Sequence, residues 1–246
     1  MKGAPPWAHG SPYSRAVTKL MLALHRPGIR ATLLSSEFRA ALASAGVHAV
    51  AVNVDDGDVE PALRFGPAEP ITALVSVWLG PSDPAAAVAA VADALEEPEL
   101  HAYRVTEKVR LDPHPVADGA RLDAFAQVAL LRRPDHMSRD EYLTYWQVHH
   151  TPIAIRTQNT SGYIQNIVEE ALTPSSPELA AIVEEHFPMA AMSDPHAFYG
   201  SGGDDAELNR RMTELMDSVA RFGADQGLDL VPTSRYVWTL GNRSAP

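Results

Sequence analysis

Apolar runs and the residues that punctuate them follow one order along this chain, and the order occurs twice. Lys19 to Arg26 (KLMLALHR) is a short apolar run closed by Arg26-Pro27, which predicts a strand. Helical spacing follows from about Ser36 to Ala45, with Gly46 as its C-terminal stop. Val47 to Val54 and Ile71 to Leu79 predict a second and a third strand. Ser82-Asp83-Pro84 then opens an Ala-rich helix to about Leu95, and Leu100 to Leu111 is the fourth strand. The second round starts at Ala124 to Arg132, a strand ended by Arg133-Pro134. A short helix comes next, then strands at Gly162 to Glu169 and His186 to Met192, the latter with Pro188 inside it. Ser193-Asp194-Pro195 opens a helical region that runs to about Gly223, past a Gly-rich break at Gly200 to Gly203. Ser234 to Leu240 closes the round.

Each round reads βαββαβ, so the expected fold class is α+β, built from two ferredoxin-like repeats. Such a sheet has one face without helices, and that apolar face must be covered. Two repeats in one polypeptide can cover each other as an intramolecular α+β barrel. The Pro-rich piece Asp112 to Gly119 (DPHPVADG) is where a boundary belongs. The expected organisation is a flexible tail over 1–16, a first repeat over 17–112 and a second over 120–246.

The short helix of the second round carries the candidate chemistry. Ser138 and Glu141 form a capping-box pattern at its start, and Pro152 is expected to follow its far end. At about 100° per residue, Tyr142, Trp146, His149 and His150 share one arc, which Leu143, Tyr145 and Ile153 make mostly apolar. Imidazoles in an apolar arc are partly desolvated, which moves a His pKa and suits proton transfer. Buried structural histidines fit the same pattern. The two rounds differ at this point. In register, Phe38, Ala41, Leu42, Ala45 and Gly46 stand opposite Tyr142, Tyr145, Trp146, His149 and His150. The first round keeps the apolar face and has no imidazole there, which suggests one chemical half and one structural half.

Composition narrows the function classes. A net charge of −11 and a pI of about 5.3 argue against nucleic acid or anionic membrane surfaces as partners. With no cysteine, disulfides, thiolate nucleophiles and Cys-ligated metals are excluded. The N-terminal apolar run Leu20 to Leu24 is too short for a signal segment or a membrane span, so a cytoplasmic protein is expected. His149, His150, His186 and His196 offer no helical His-x-x-x-His pair, and adjacent histidines on a helix point about 100° apart. Neither a metal nor any other cofactor is expected. No nucleotide-binding or α/β-hydrolase motif occurs.

The second half resembles the EthD family of the dimeric α+β barrel superfamily. The resemblance rests on Leu131-Arg132-Arg133-Pro134, on Met137 to Tyr142, on Tyr145-Trp146 and on His150-Thr151-Pro152-Ile153. Gly162-Tyr163-Ile164-Gln165-Asn166 adds a second-strand signature. The first half matches only in its order of elements, so the chain looks like a tandem form with a degenerate first copy. The superfamily includes cofactor-independent monooxygenases, lactone isomerases, decarboxylases and cyclases acting on small aromatic or polyketide-like molecules, and haem-binding tandem relatives. Single-unit relatives dimerise to cover the sheet, and a homodimer of this chain remains open. The residues carried over from the motif are His150 and, less directly, Tyr163 and Asn166.

The expected function is a cofactor-independent enzyme doing acid/base chemistry on a small aromatic or polyketide-like substrate, by decarboxylation, dehydration, cyclisation or isomerisation. His150 would be the general acid/base, and Tyr163 or Asn166 would donate a hydrogen bond to the developing oxyanion. Strand alternation lets only one of those two line a pocket unless a bulge intervenes. Tyr142, Trp146, His149 and Met192 would be the substrate-binding residues. The alternative is a non-catalytic small-molecule binding or scaffolding protein in which His150 orients the ligand.

Overall fold

A computed structural model describes residues 17–66 and 69–240. The expected tail, 1–16, lies outside the described residues. The first round comprises β1 (Thr18–Leu24), α1 (Arg30–Leu33), α2 (Ser36–Ser44), β2 (Val47–Val54), β3 (Ala73–Leu79), α3 (Pro84–Leu95) and β4 (His101–Leu111). The second comprises β5 (Phe125–Leu131), α4 (Arg139–Thr144), a π-helical turn (Tyr145–His150), α5 (Thr151–Thr157), β6 (Gly162–Ala171), β7 (Ala181–Phe187), α6 (Pro195–Tyr199), α7 (Asp205–Arg221) and β8 (Asp229–Thr239).

The strands close into one antiparallel barrel in the order β1-β3-β2-β8-β5-β7-β6-β4, with β4 returning to β1. The pairs β2–β8 and β4–β6 stitch the first four strands to the last four. Closure leaves no open sheet edge. Alternation along each strand then divides the core into layers. From β1, Leu20, Leu22 and Leu24 point outward onto Phe38 and Leu42 of α2 and Val91 and Leu95 of α3. Met21 and Ala23 point inward, where they meet Val128, Leu130, Ile182 and Val231 from the other half of the barrel. Each large side chain so buried contributes about 1.5–3 kcal/mol. Leu42→Ala should therefore cost about 2–5 kcal/mol.

Two sequence expectations change. The third strand of the second round lies at Ala181–Phe187 and not at His186 to Met192. Pro188 has no N–H for the ladder, and Met189–Met192 wind into a 3₁₀ turn. The adjacent pair Glu184-Glu185 masks this strand in the sequence. The helix that begins at Arg139 also does not stop before Pro152. It widens into the π turn and continues as α5 to Thr157, with Pro152 in the first turn of α5. The Thr151 hydroxyl donates to the Trp146 carbonyl at 2.7 Å, satisfying an acceptor that the irregular turn would strand. The start is as read from sequence: Ser138 and Glu141 make both arms of the capping box.

Among the described residues, no helix is long and apolar enough to cross a membrane.

Candidate functional site

Three strands of the second round set out a polar row on the face of the sheet that looks toward the helices. Glu185 on β7 stands opposite Gln127 on β5 and opposite Tyr163 on β6. Directly opposed residues on antiparallel strands share a face, with Cβ atoms about 5 Å apart. The helical layer does not close down on this row. Between them lies a cavity of about 910 Å³, whose apolar walls include Phe125, Trp146, Phe198, Leu215 and Phe222. The walls are completed by Met192 and by Pro61 to Leu63 and Phe65 from the first round. The exposed side chains of Leu63, Phe65 and Met216 stand at its rim.

The π turn delivers His150 to this cavity. A π turn is wider than an α turn, so a three-residue step falls further short of a full revolution. Trp146 and His150 both face inward and are buried, whereas His149 is exposed and its ring packs on Tyr145, ring centres 5.4 Å apart. His150 Nδ1 is 3.0 Å from the Ser218 hydroxyl of α7, and its ring lies 4.7 Å from that of Phe222. Burial pushes the His150 pKa down to about 4, so the imidazole is neutral at physiological pH.

Glu185 is perturbed in the opposite sense. It is half-buried, and the surface it keeps opens onto the cavity. Burial pushes its carboxyl up to about 8. Gln158, with its amide turned so that nitrogen meets acceptors, donates to the Ala154 carbonyl at 3.2 Å and to Glu185 Oε1 at 3.1 Å. Burial, reinforced by Glu185, raises the Tyr163 phenol well above its ordinary value, so it remains a donor. Groups driven apart in this way are the ordinary signature of divided acid and base roles.

Of the residues read from the sequence, the structure brings His150, Trp146, Tyr163 and Met192 to one cavity. Three others lie elsewhere. Asn166 points to the barrel interior, where its Oδ1 accepts from Lys19 Nζ at 2.7 Å and its Nδ2 donates to the Ile182 carbonyl at 3.2 Å. Alternation on β6 thus separates it from Tyr163. His149 faces out, for the reason just given. Tyr142 is fully buried behind the wall, against Phe222 at 5.5 Å, and does not line the cavity.

Glu185 is the cavity residue that reading the helix missed. The signal was available in the strand AIVEEHF, where alternation puts Val183, Glu185 and Phe187 on one face and Glu184 and His186 on the other. Glu184 joins a charged cluster inside the barrel. It accepts from His186 Nε2 at 2.6 Å, and Arg235 Nε lies 2.5 Å away. Burial would raise its pKa, but Arg235, His186 and Lys19 together hold it below the usual carboxylate range. Among the described residues, no three His, Asp or Glu side chains are gathered as ligands for an ion.

No family model matches the chain, and no curated protein does. Solved structures do match. An anthrone oxidase-like protein is 10% identical, with a TM-score of 0.53 over 95% of this chain and 97% of that one. A protein of Fusobacterium nucleatum subsp. nucleatum, provisionally assigned as a monooxygenase, is 9% identical, with a TM-score of 0.43 over 92% and 95% of the two chains. The fold is of the dimeric α+β barrel type. At 10% identity the likeness is one of fold.

Proposed function

We propose that this chain is an enzyme that performs acid/base chemistry, without a bound cofactor, on a small, mostly apolar, oxygen-bearing molecule held in the cavity of its second round. The observation that carries the reading is that His150, Tyr163 and Trp146 open onto the same apolar space of about 910 Å³. That volume suits an aromatic or polyketide-like molecule of several rings. We read the two rounds, 17–112 and 120–246, as ferredoxin-like repeats of which the second is the EthD-like one. The first keeps the architecture and loses the site. At Gly46, the position opposite His150, φ is +83° and an added Cβ would collide with the Ser82 side chain, so a residue with a side chain is disfavoured there. The likeness to an anthrone oxidase-like protein is in keeping with an aromatic ketone or phenol as the substrate.

Within this reading, the Ser218 hydroxyl donates to Nδ1 and fixes the imidazole proton on Nε2. The neutral ring then hydrogen-bonds the substrate oxygen as charge develops there, with the Tyr163 phenol as a second donor. The same contacts favour one other reading. A ring already held by Ser218 and Phe222 can serve a purely binding protein by orienting its ligand.

The test is a screen of the purified protein against aromatic and polyketide-like compounds, read as melting temperature. A ligand at a hundred times its Kd stabilises by about 2.7 kcal/mol, an easily seen shift. A true cavity ligand should lose most of its effect in Trp146→Ala. If no compound shifts the wild type, the cavity reading fails. If compounds bind and none is turned over, the binding reading replaces the enzymatic one.

A further inference from the structure

The cavity is lined by Glu185 and, at an exposed position, by Asp225, and by no Lys or Arg among the described residues. Lys19 and Arg235, the cations beside Glu184, sit on the opposite face of the sheet and are engaged by Glu107 and Glu184. A carboxylate or phosphate entering the cavity would lose its water with no counter-charge on the walls to replace it. That selects against anionic substrates and leaves decarboxylation with the least support of the four reactions.

The geometry then singles out one acceptor for a proton from carbon. Gln127 from β5 and Tyr163 from β6 directly oppose Glu185, Gln158 from the end of α5 bonds to it, and His150 of the π turn, Tyr199 of α6 and the exposed Asp225 beyond α7 line the same cavity. Glu184 and His186 share its strand but turn away. Gln158 holds Oε1 and leaves Oε2 free. His150 spends Nδ1 on Ser218. Resting on the acid/base reading of this cavity, we propose that Glu185 is a catalytic residue that takes a proton from carbon next to the carbonyl of an uncharged ketone, while His150 and Tyr163 hold the oxygen.

In that step a carboxylate oxygen of Glu185 removes the α-proton. The C–H electron pair becomes the enolate double bond, and the carbonyl π electrons move to the oxygen that the two donors hold. The Glu185 carboxyl trades that proton for one from solvent water, and delivery of the solvent-derived proton to carbon completes an exchange that needs no oxidant. Burial, which pushes Glu185 up to about 8, makes the carboxylate a stronger base than an ordinary one, available above that pH.

The probe is 2-tetralone in deuterated water, with loss of its α-proton signals followed by NMR above the uncatalysed background. Wild type should accelerate exchange, with a rate that climbs as pH rises through about 8 and then levels. Glu185→Gln should lower the catalysed rate at least about 10²-fold while keeping its melting transition. In a parallel binding pair, neutral 2-naphthol should raise the melting temperature at pH 7 and 2-naphthoate should not. Retained exchange in Glu185→Gln, or a rate flat from pH 6 to 9 as a base near pH 4 would give, overturns the role of Glu185 and leaves the cavity enzymatic. Equal binding of 2-naphthoate overturns the exclusion of anions. No catalysed exchange by wild type overturns the inference. If 2-naphthol then still binds, the cavity survives as a binding site, and if it does not, both readings fall together.

Discussion

Glu184 and Glu185 are adjacent on β7, and their carboxyl groups titrate in opposite directions because the strand sends them to opposite faces of the sheet. Glu184 enters the barrel and finds Arg235, His186 and Lys19. Glu185 enters an apolar cavity and finds an amide. The same residue type is therefore a structural anion at one position and a carboxyl that keeps its proton near neutrality at the next.

Removing one charge should separate the two roles by stability. Glu184 is 1% exposed, and Glu184→Gln would leave the buried Arg235 without its counter-charge, while Lys19 keeps Glu107. Breaking a buried pair from one side typically costs about 3–5 kcal/mol. The variant should melt well below wild type in thermal and urea unfolding. Glu185→Gln should not, since the cavity favours the uncharged form. Equal losses in the two variants would mean that Glu185 also carries a structural charge.

The pH dependence of stability should follow from Glu185. Its folded pKa, about 8, lies above the ordinary value of 4.5. Below about 4.5 both folded and unfolded chains hold the proton, and the native state keeps its full advantage. As pH rises toward 8 the unfolded chain releases a proton that the folded one retains, so stability falls. Glutamine has no proton to release. The melting temperature of Glu185→Gln relative to wild type should therefore climb between pH 5 and pH 8.5. A constant difference would show that the carboxyl is not held neutral.

Much of this was legible in the chain. The twofold βαββαβ order gave the element sequence, because apolar runs, Gly stops and Pro breaks are local signals. The capping box at Ser138 and the pairing of Trp146 with His150 were legible for the same reason. His149 was not, since the π turn that faces it outward is an irregularity of the helix that regular apolar spacing does not reveal. Asn166 could be resolved only to one of two faces until its partner Lys19, which lies 147 positions away, was in place. Glu185 was missed because the third strand was read as starting at His186, which left Glu184 and Glu185 outside any element and without a face.

Phe222 should control the titration of His150. Its ring lies 4.7 Å from the imidazole, and also packs on Tyr142 and Tyr145 at 5.5 and 5.7 Å. Phe222→Ala removes this cover and should cost about 3–5 kcal/mol. It should also admit water to the ring and raise the His150 pKa from about 4 toward 6.5. Titration of the His150 ring protons by NMR in the two proteins reads this directly. An unchanged pKa would show that the depression arises elsewhere.

The two adjacent histidines should behave as different kinds of residue. His150 is 7% exposed, opens onto the cavity and is hydrogen-bonded to Ser218, while His149 is exposed to solvent. His150→Ala should cut the exchange of 2-tetralone at least about 10²-fold, because the developing oxyanion loses a donor in a desolvated site. His150→Gln keeps a donor of roughly similar reach and should recover part of that loss if the ring acts by hydrogen bonding. It should recover none if the ring itself must carry the proton. His149→Ala should change neither rate nor melting temperature appreciably. Stability adds an independent reading. The folded pKa of His150, about 4, lies below its ordinary 6.5, so its contribution is present above 6.5 and lost as pH falls toward 4. His150→Gln should blunt the wild-type loss of stability across that window, whereas His149→Ala should leave it intact. If the His150 variants lose stability at every pH and keep their rate, the imidazole is a packing residue and the cavity works without it.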